Sequence, residues 1–546
     1  MRNHIAYEPY FGFKKGGEMT LLDGRGNSFD QANLLLDLLM LAGYQADYIY
    51  GTIRLSGEQF TAWMGIEDDP LLAIQLLADA GIPAEVHHAD GVIKQVILIH
   101  LWVKLWTDNV NFVSVALDPS FKETSRTPGI ELGPALAYDR ADFLAQALEG
   151  AGSTEHYVQN LNRKNVRQLL ASYSMNLAAY LETTHPGDGM EDIIGGEAII
   201  PVTGQPFEET LDYELERIRI LNGFFEGRDW AISTMVTIKY QGWEHLFPAY
   251  DLYGERLTLT FTQDPGPLTA HLILDGYEQH SFPVTDPDEA LEISIDHPYP
   301  AFDGAYQDQT GAVAPLPGVT HIYAFTSGFG TTGRQCLEKH RRTLRQFLAD
   351  GEAPGSEPVM GESLAMIGLT WMAETSRATE IADRMLGTRT INHHVFGMVG
   401  QQDSPRMDLA LMGRSILGTS RLNSAWNQFG INSAMEGGVM AQMQPMAGVS
   451  AVRLLDIACA QGDKIFDATP ENYLEEVRPQ LRDYPPDYLA AVDLEVAAGN
   501  RMILPEHGNL QEGDYQGIGV YSISTEAGPA ALIRGGLHGG QGTRKG

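Results

Sequence analysis

The stretch Gly26-Asn27-Ser28-Phe29-Asp30-Gln31-Ala32-Asn33-Leu34-Leu35-Leu36-Asp37-Leu38-Leu39-Met40-Leu41-Ala42-Gly43-Tyr44-Gln45-Ala46-Asp47-Tyr48-Ile49-Tyr50-Gly51 reads as a loop, a helix, a stop and a strand. Gly26 and Asn27 suit a turn. Phe29, Ala32, Leu35, Leu36 and Leu39 recur at helical spacing and make one apolar face. Gly43 falls just past the helix end, where a left-handed backbone is needed. Tyr48-Ile49-Tyr50 is a short β-prone run. Ser28 therefore stands at a helix start, beside unpaired backbone N–H groups and the positive end of the dipole. That place suits either a helix cap or a nucleophile.

Two strand signals follow downstream, residues 92–106 and 110–119, with Asp108-Asn109 as the turn between them. On the first, His100, Trp102 and Lys104 share one face, and Leu101, Val103 and Leu105 the other. Paired as a hairpin, the strands set His100 beside Asp118. A carboxylate there fixes the imidazole tautomer and stabilises the imidazolium. The other ring nitrogen is then available to a nucleophile at the helix start. Ser28, His100 and Asp118 are accordingly the candidate catalytic residues, as nucleophile, base and orienting acid. Their order along the chain is that of papain-like enzymes. The plainer alternatives are a helix cap at Ser28, a strand histidine satisfied by Asp118, and Trp102 as packing.

These motifs resemble the transglutaminase-like core of the papain-like superfamily. That family has a Cys at the helix start, then an Asp two residues on and an Ala four on. Later come a His-x-Trp-Val strand and an Asp-Pro-Ser/Thr-Phe. Here Asp30 and Ala32 stand at those offsets, followed by His100-Leu101-Trp102-Val103 and Asp118-Pro119-Ser120-Phe121. The resemblance covers about the first 124 of 546 residues. It is similar in more detail to the segments found in bacterial proteins with RHS/YD repeats, through Asn3-His4-Ile5-Ala6-Tyr7-Glu8-Pro9-Tyr10, Tyr50-Gly51-Thr52-Ile53 and Gly535-Gly536-Leu537-His538-Gly539-Gly540. Asn432-Ser433-Ala434-Met435-Glu436-Gly437 belongs to the same likeness. No YD-repeat array is visible.

One departure bears on function. Ser28 stands where the family's nucleophilic Cys belongs, either natively or as an engineered replacement. A thiol is partly ionised near neutral pH, whereas a hydroxyl is not. The resemblance thus implies two readings. One is a nearly inactive module with a structural, processing or peptide-binding role. The other is an active acyl-transfer enzyme (transglutaminase, amidase or protease). A peptide or protein would be the ligand or substrate.

Composition frames these readings. The chain has 43% hydrophobic and 20% charged residues, ordinary for a soluble globular protein. Its length corresponds to roughly three domains at ~100–200 residues each. With 37 basic and 71 acidic residues, the net charge of −34 repels phosphate backbones, so nucleic acid is not an expected partner. No apolar run spans a bilayer, and residues 1–7 lack a signal-peptide core. The chain is read as cytoplasmic or as a piece of a longer exported protein. Cys336 and Cys459 make neither a disulfide framework nor a zinc site. No cofactor or metal is expected.

The predicted organisation is α+β and multidomain. Residues 1–124 form the transglutaminase-like core, and 125–225 a helical segment with its clearest periodicity at 166–181. Residues 226–332 form an antiparallel β-sandwich-like domain, with strands at 232–238, 257–262 and 291–295. Residues 333–546 are mainly helical, through 341–348, 363–385 and 449–460, with a Gly-rich tail. Gly328-Phe329-Gly330-Thr331-Thr332-Gly333 matches a nucleotide-loop string without its usual setting. His87-His88 and His393-His394 are adjacent pairs, a poor arrangement for one metal. Met435, Met440, Met443 and Met446 read as core filling.

Overall fold

The first segment runs helix α1 (Gly16–Asp23), helix α2 (Ser28–Leu41), strand β1 (Gln45–Ser56), helix α3 (Gly57–Met64), helix α4 (Pro70–Asp79) and strands β2 (Ala84–Ala89), β3 (Val92–Asp108) and β4 (Val113–Leu117). Each boundary has a local cause. The Asn27 side chain accepts the Asp30 N–H at 2.8 Å and starts α2. Gly43, at φ +83°, ends it, with Gly43 N–H on the Met40 carbonyl and Tyr44 N–H on the Leu39 carbonyl. That pair of bonds is a Schellman stop. Ser56 and Gln59 cap α3 reciprocally, and Asp69 caps α4 ahead of Pro70.

These strands make an antiparallel sheet in which β3 is the long central member. One edge of β3 pairs with β1 along nearly its whole length, with His100 opposite Gly51. The other edge is shared: β2 pairs with its first half and β4 with its second. Strand β5 (Glu214–Leu221), far along the chain, completes the sheet against β1. Leu101, Val103 and Leu105 are fully buried on one face of β3, and His100 and Trp102 on the other. Phe29, Ala32 and Leu36 of α2 and Phe60, Trp63 and Met64 of α3 belong to the same core.

The structure is a computed structural model, and it describes residues 1–108, 113–203, 211–221, 232–263, 265–298, 309–313, 320–326, 333–386, 389–392, 394–400, 414–417, 430, 451–512, 515–524, 528–535 and 540–543. Asn109 of the expected turn, Gly328 to Thr332, His393, the four methionines 435, 440, 443 and 446, residues 432–437 and residues 536–539 lie outside these.

The chain divides into two compact units of mixed α and β structure. The first comprises Met1–Thr127, Glu197–Arg377 and Arg389–Leu417. Besides the sheet above, it holds two larger antiparallel sheets. One contains Met235–Tyr240, Trp243–Pro248, Leu291–Asp296 and Gln309–Val313, and the other Arg256–Thr262, Thr269–Leu274, Tyr277–Pro283, Thr320–Thr326 and His394–Gly400. Val236, Ile238, Leu257, Leu259, Leu272 and Ile293 fill one core between them.

The second unit comprises Pro128–Gly196, Ala378–Thr388 and Gly418–Gly546. Helix Arg163–Thr184 carries the periodicity noted at 166–181. An eight-stranded sheet takes in Lys464–Ala468, Arg501–Pro505, Tyr515–Ser524 and Gly528–Gly535, packed with helices Ala451–Gln461 and Pro486–Ala497. Beyond 333 the described residues hold helices Gly333–Ala349, Glu357–Leu386 and Ala451–Gln461, where helices were expected, and strands beside them. Gly517 and Gly519 lie inside strand Tyr515–Ser524, whose Ile518 and Val520 are buried. Among the described residues, no helix is long and apolar enough to cross a membrane.

Candidate functional site

Strand β3 carries His100 and the end of β4 leads to Asp118, so the hairpin joins them. His100 Nε2 lies 2.8 Å from Asp118 Oδ2, with both side chains buried. The Asp118 carboxylate is held from every side. Its Oδ2 also accepts the Tyr213 hydroxyl at 2.8 Å. Its Oδ1 accepts the Ser120 hydroxyl at 2.7 Å, the Ser120 N–H at 2.9 Å and the Phe121 N–H at 3.3 Å. Burial by itself would raise the Asp118 carboxyl. The His100 charge and hydrogen bond, with those from Ser120, outweigh it and hold Asp118 well below the usual carboxylate range.

An ionised Asp118 accepts hydrogen bonds only, which assigns the proton on the facing nitrogen to His100 Nε2. His100 Nδ1 is buried and has no hydrogen-bond partner. Three aromatic rings fix the imidazole plane. Trp63 meets it edge-on at 5.3 Å, Trp102 stacks at 6.1 Å and Tyr213 meets it edge-on at 5.8 Å. Trp63 is itself tied by its indole N–H to the Ser120 carbonyl at 2.9 Å.

Ser28 occupies the first turn of α2, one residue inside the cap, because Asn27 takes the capping role. It is 4% exposed. It makes no hydrogen bond to His100, whose Nε2 faces Asp118 and Ser120 and whose Nδ1 is unpartnered. His100 and Asp118 are thus brought together; Ser28 is buried at the helix start without touching the imidazole by a hydrogen bond.

The helix start itself is held by a second buried carboxylate. Asp30 accepts the backbone N–H groups of Lys14 at 3.1 Å, Lys15 at 3.3 Å and Gly16 at 3.1 Å, and the Tyr10 hydroxyl. Burial pushes the Asp30 carboxyl up despite these bonds. Lys15 in turn pairs with Asp23 at 2.7 Å and Glu8 at 2.8 Å. Lys122 is buried nearby without a carboxylate in contact. It donates to Gln31 Oε1 at 2.9 Å and to the Ile5 carbonyl. Burial, offset in part by Asp118 and reinforced by Arg2, lowers the Lys122 ammonium to about 7.

Tyr213, Ser120, Trp63 and Lys122 are the site residues that motif reading missed. Ser120 had a signal: Asp118-Pro119-Ser120 is an Asx-turn sequence, and the Ser120 N–H does close it onto Asp118. Tyr213 had none, being 95 residues away in sequence from Asp118. Both cysteines are free and Cys336 is buried, with burial pushing its thiol up to about 12. His87 and His88 lie on β2, exposed, and form no metal-sized group among the described residues. Comparison of the chain with protein-family models, curated proteins and solved structures finds no match.

Proposed function

We propose that residues 1–124 form a transglutaminase-like module of the papain-like kind, in which the imidazole–carboxylate half of an acyl-transfer site is built and the nucleophile is missing. The reading rests on one observation above all: His100 Nε2 is locked to Asp118 at 2.8 Å while Nδ1 is left buried and unpaired. Buried polar atoms are as a rule hydrogen-bonded, so an unpaired imidazole nitrogen calls for an explanation. At the helix start, a Ser hydroxyl with no hydrogen bond to a base is a poor nucleophile. Such a module is nearly inert and acts as a structural, processing or peptide-binding element, of the sort associated with RHS proteins.

The same unpaired Nδ1 favours the second reading, acyl transfer from a Gln or peptide amide. There Ser28, or a thiol in its place, attacks the carbonyl. His100 takes its proton and passes it to the leaving amine, and water or a second amine resolves the acyl-enzyme. Comparing the chain with its Ser28→Cys variant in amine-incorporation and peptide-amide hydrolysis assays separates the two. Activity in the variant alone supports the nearly inert reading. Activity in both supports the enzyme. Folded protein with no activity in either form removes the acyl-transfer frame.

A further inference from the structure

The Asp118 carboxylate divides its donors unequally between its two oxygens. Oδ1 takes the Ser120 hydroxyl and the backbone N–H groups of Ser120 and Phe121, all from the turn that Asp118 itself opens. Oδ2 takes two side chains from elsewhere in the fold, His100 at 2.8 Å and the Tyr213 hydroxyl at 2.8 Å. The turn donors hold the carboxylate in place whether or not the imidazole is charged. Tyr213 differs from them, because it draws on the same oxygen as His100 Nε2.

Tyr213 stands immediately before strand β5. Asp212 on one side of it and Glu214 to Arg217 on the other are exposed, whereas Tyr213 is buried. Asp212 is tied at the surface, its carboxylate to Arg2 at 2.6 Å and its carbonyl to the Gln59 carboxamide at 2.6 Å. Inside, the Tyr213 ring meets those of Phe121 at 5.1 Å, His100 at 5.8 Å and Trp102 at 6.3 Å. These contacts aim the hydroxyl at Asp118. Burial, then the Asp118 charge, pushes the Tyr213 hydroxyl well above its ordinary value, so it keeps its proton and stays a donor. Three other charges bear on the group. Asp212 and Arg2 act on Tyr213 in opposite senses, and Lys122 feels Asp118 and Arg2.

We propose that Tyr213 is a positioning residue for the base of the acyl-transfer site, the reading of His100 and Asp118 on which this rests. Its hydroxyl holds Asp118 Oδ2 against His100 Nε2 and, by sharing that oxygen, weakens the pull of the carboxylate on a charged imidazole. A carboxylate that accepts a further hydrogen bond is less basic than one that does not. The imidazolium beside it is then stabilised less. A base in acyl transfer takes a proton from the nucleophile and gives it to the leaving amine. Tyr213 shifts that balance toward giving. No local pattern marks this role, since the hydroxyl acts on His100 only through the shared oxygen.

The test is a pH titration of the His100 ring nitrogens by NMR on the full chain labelled with ¹⁵N-histidine, the His100 signals being identified by their loss in His100→Gln. Tyr213→Phe keeps the ring and removes the hydroxyl. His100 is expected to stay charged there to a pH about 0.5 unit or more above the parent. Tyr213→3-fluorotyrosine keeps the shape and strengthens the donor, and is expected to move the titration the other way. A hydroxyl that only fills space moves neither. An unchanged titration in the folded Tyr213→Phe chain, or a move to lower pH, overturns the role. If Tyr213→Phe does not fold, the fluorinated chain decides: a move to lower pH supports the role, and no move or a rise overturns it. The titration involves neither Ser28 nor a substrate. Inactivity of both forms in the amine-incorporation and hydrolysis assays therefore removes the acyl-transfer reading without altering these shifts, and the two failures are told apart.

Discussion

Two carboxylates in the first segment have buried side chains and behave oppositely. Asp30 is surrounded by backbone N–H groups and a tyrosine, and burial pushes its carboxyl up. Asp118 is bonded to an imidazole, a serine and a tyrosine, and its carboxyl is held down. Burial alone therefore does not set the charge state; the partner does. The two also differ in what they leave over. Asp30 closes a loop onto a helix start and consumes its neighbours' donors. Asp118 satisfies one nitrogen of His100 and leaves the other bare.

Lys122 lies between these two environments and gives the largest expected effect. Its ammonium is lowered to about 7 from an unfolded value near 10.4. The folded chain then binds fewer protons than the unfolded chain between those values, so stability rises with pH across that window. The cost is fully present below about pH 7 and is relieved toward pH 10, by up to the order of 4 kcal/mol. Urea unfolding of the parent against Lys122→Met at pH 7 and 10 is expected to show the rise in the parent and not in the variant. Parallel pH slopes break the assignment.

Asp30→Ala is next. It strands three buried N–H groups and the Tyr10 hydroxyl, a loss of roughly 3 kcal/mol or more at neutral pH. A loss under about 1 kcal/mol means the loop at 14–16 holds itself without the carboxylate. Asp118→Asn costs less, about 2 kcal/mol at pH 7, as expected for hydrogen bonds to a charged group. Because the folded Asp118 carboxyl is depressed, its contribution is present above the unfolded value near 3.9 and fades as pH falls through the folded one. The gap between parent and Asp118→Asn is therefore expected to narrow on acidification. A gap that widens contradicts an ionised Asp118.

Much of this was legible in the sequence, and the exceptions have physical causes. Helix α2 announced itself by apolar spacing and by Gly43, and β3 by alternation between two buried faces. The two strand runs at 92–106 and 110–119, with Asp108-Asn109 between them, gave the hairpin. What the sequence hid was contributed over distance. Strand β5 lies within the segment expected to be helical, since a register shift between Leu215 and Arg217 breaks its period-two pattern. Asn27 rather than Ser28 caps α2, a choice of one residue that propensity does not settle. Nothing in the sequence signals that Tyr213 reaches Asp118, because no local pattern encodes a contact made through a shared carboxylate.

The proposal at the centre of this account is that His100 and Asp118 serve as the base of an acyl-transfer site whose nucleophile position is Ser28. It is tested most directly by the thiolate absorbance of Ser28→Cys near 240 nm, titrated against pH and corrected with the parent chain, whose own thiols are Cys336 and Cys459. The account predicts that the introduced thiol ionises at least one unit below the ordinary value of about 8.5, and returns to that value or above when His100→Gln is added. A thiol that ionises at or above about 8.5 with His100 intact contradicts it.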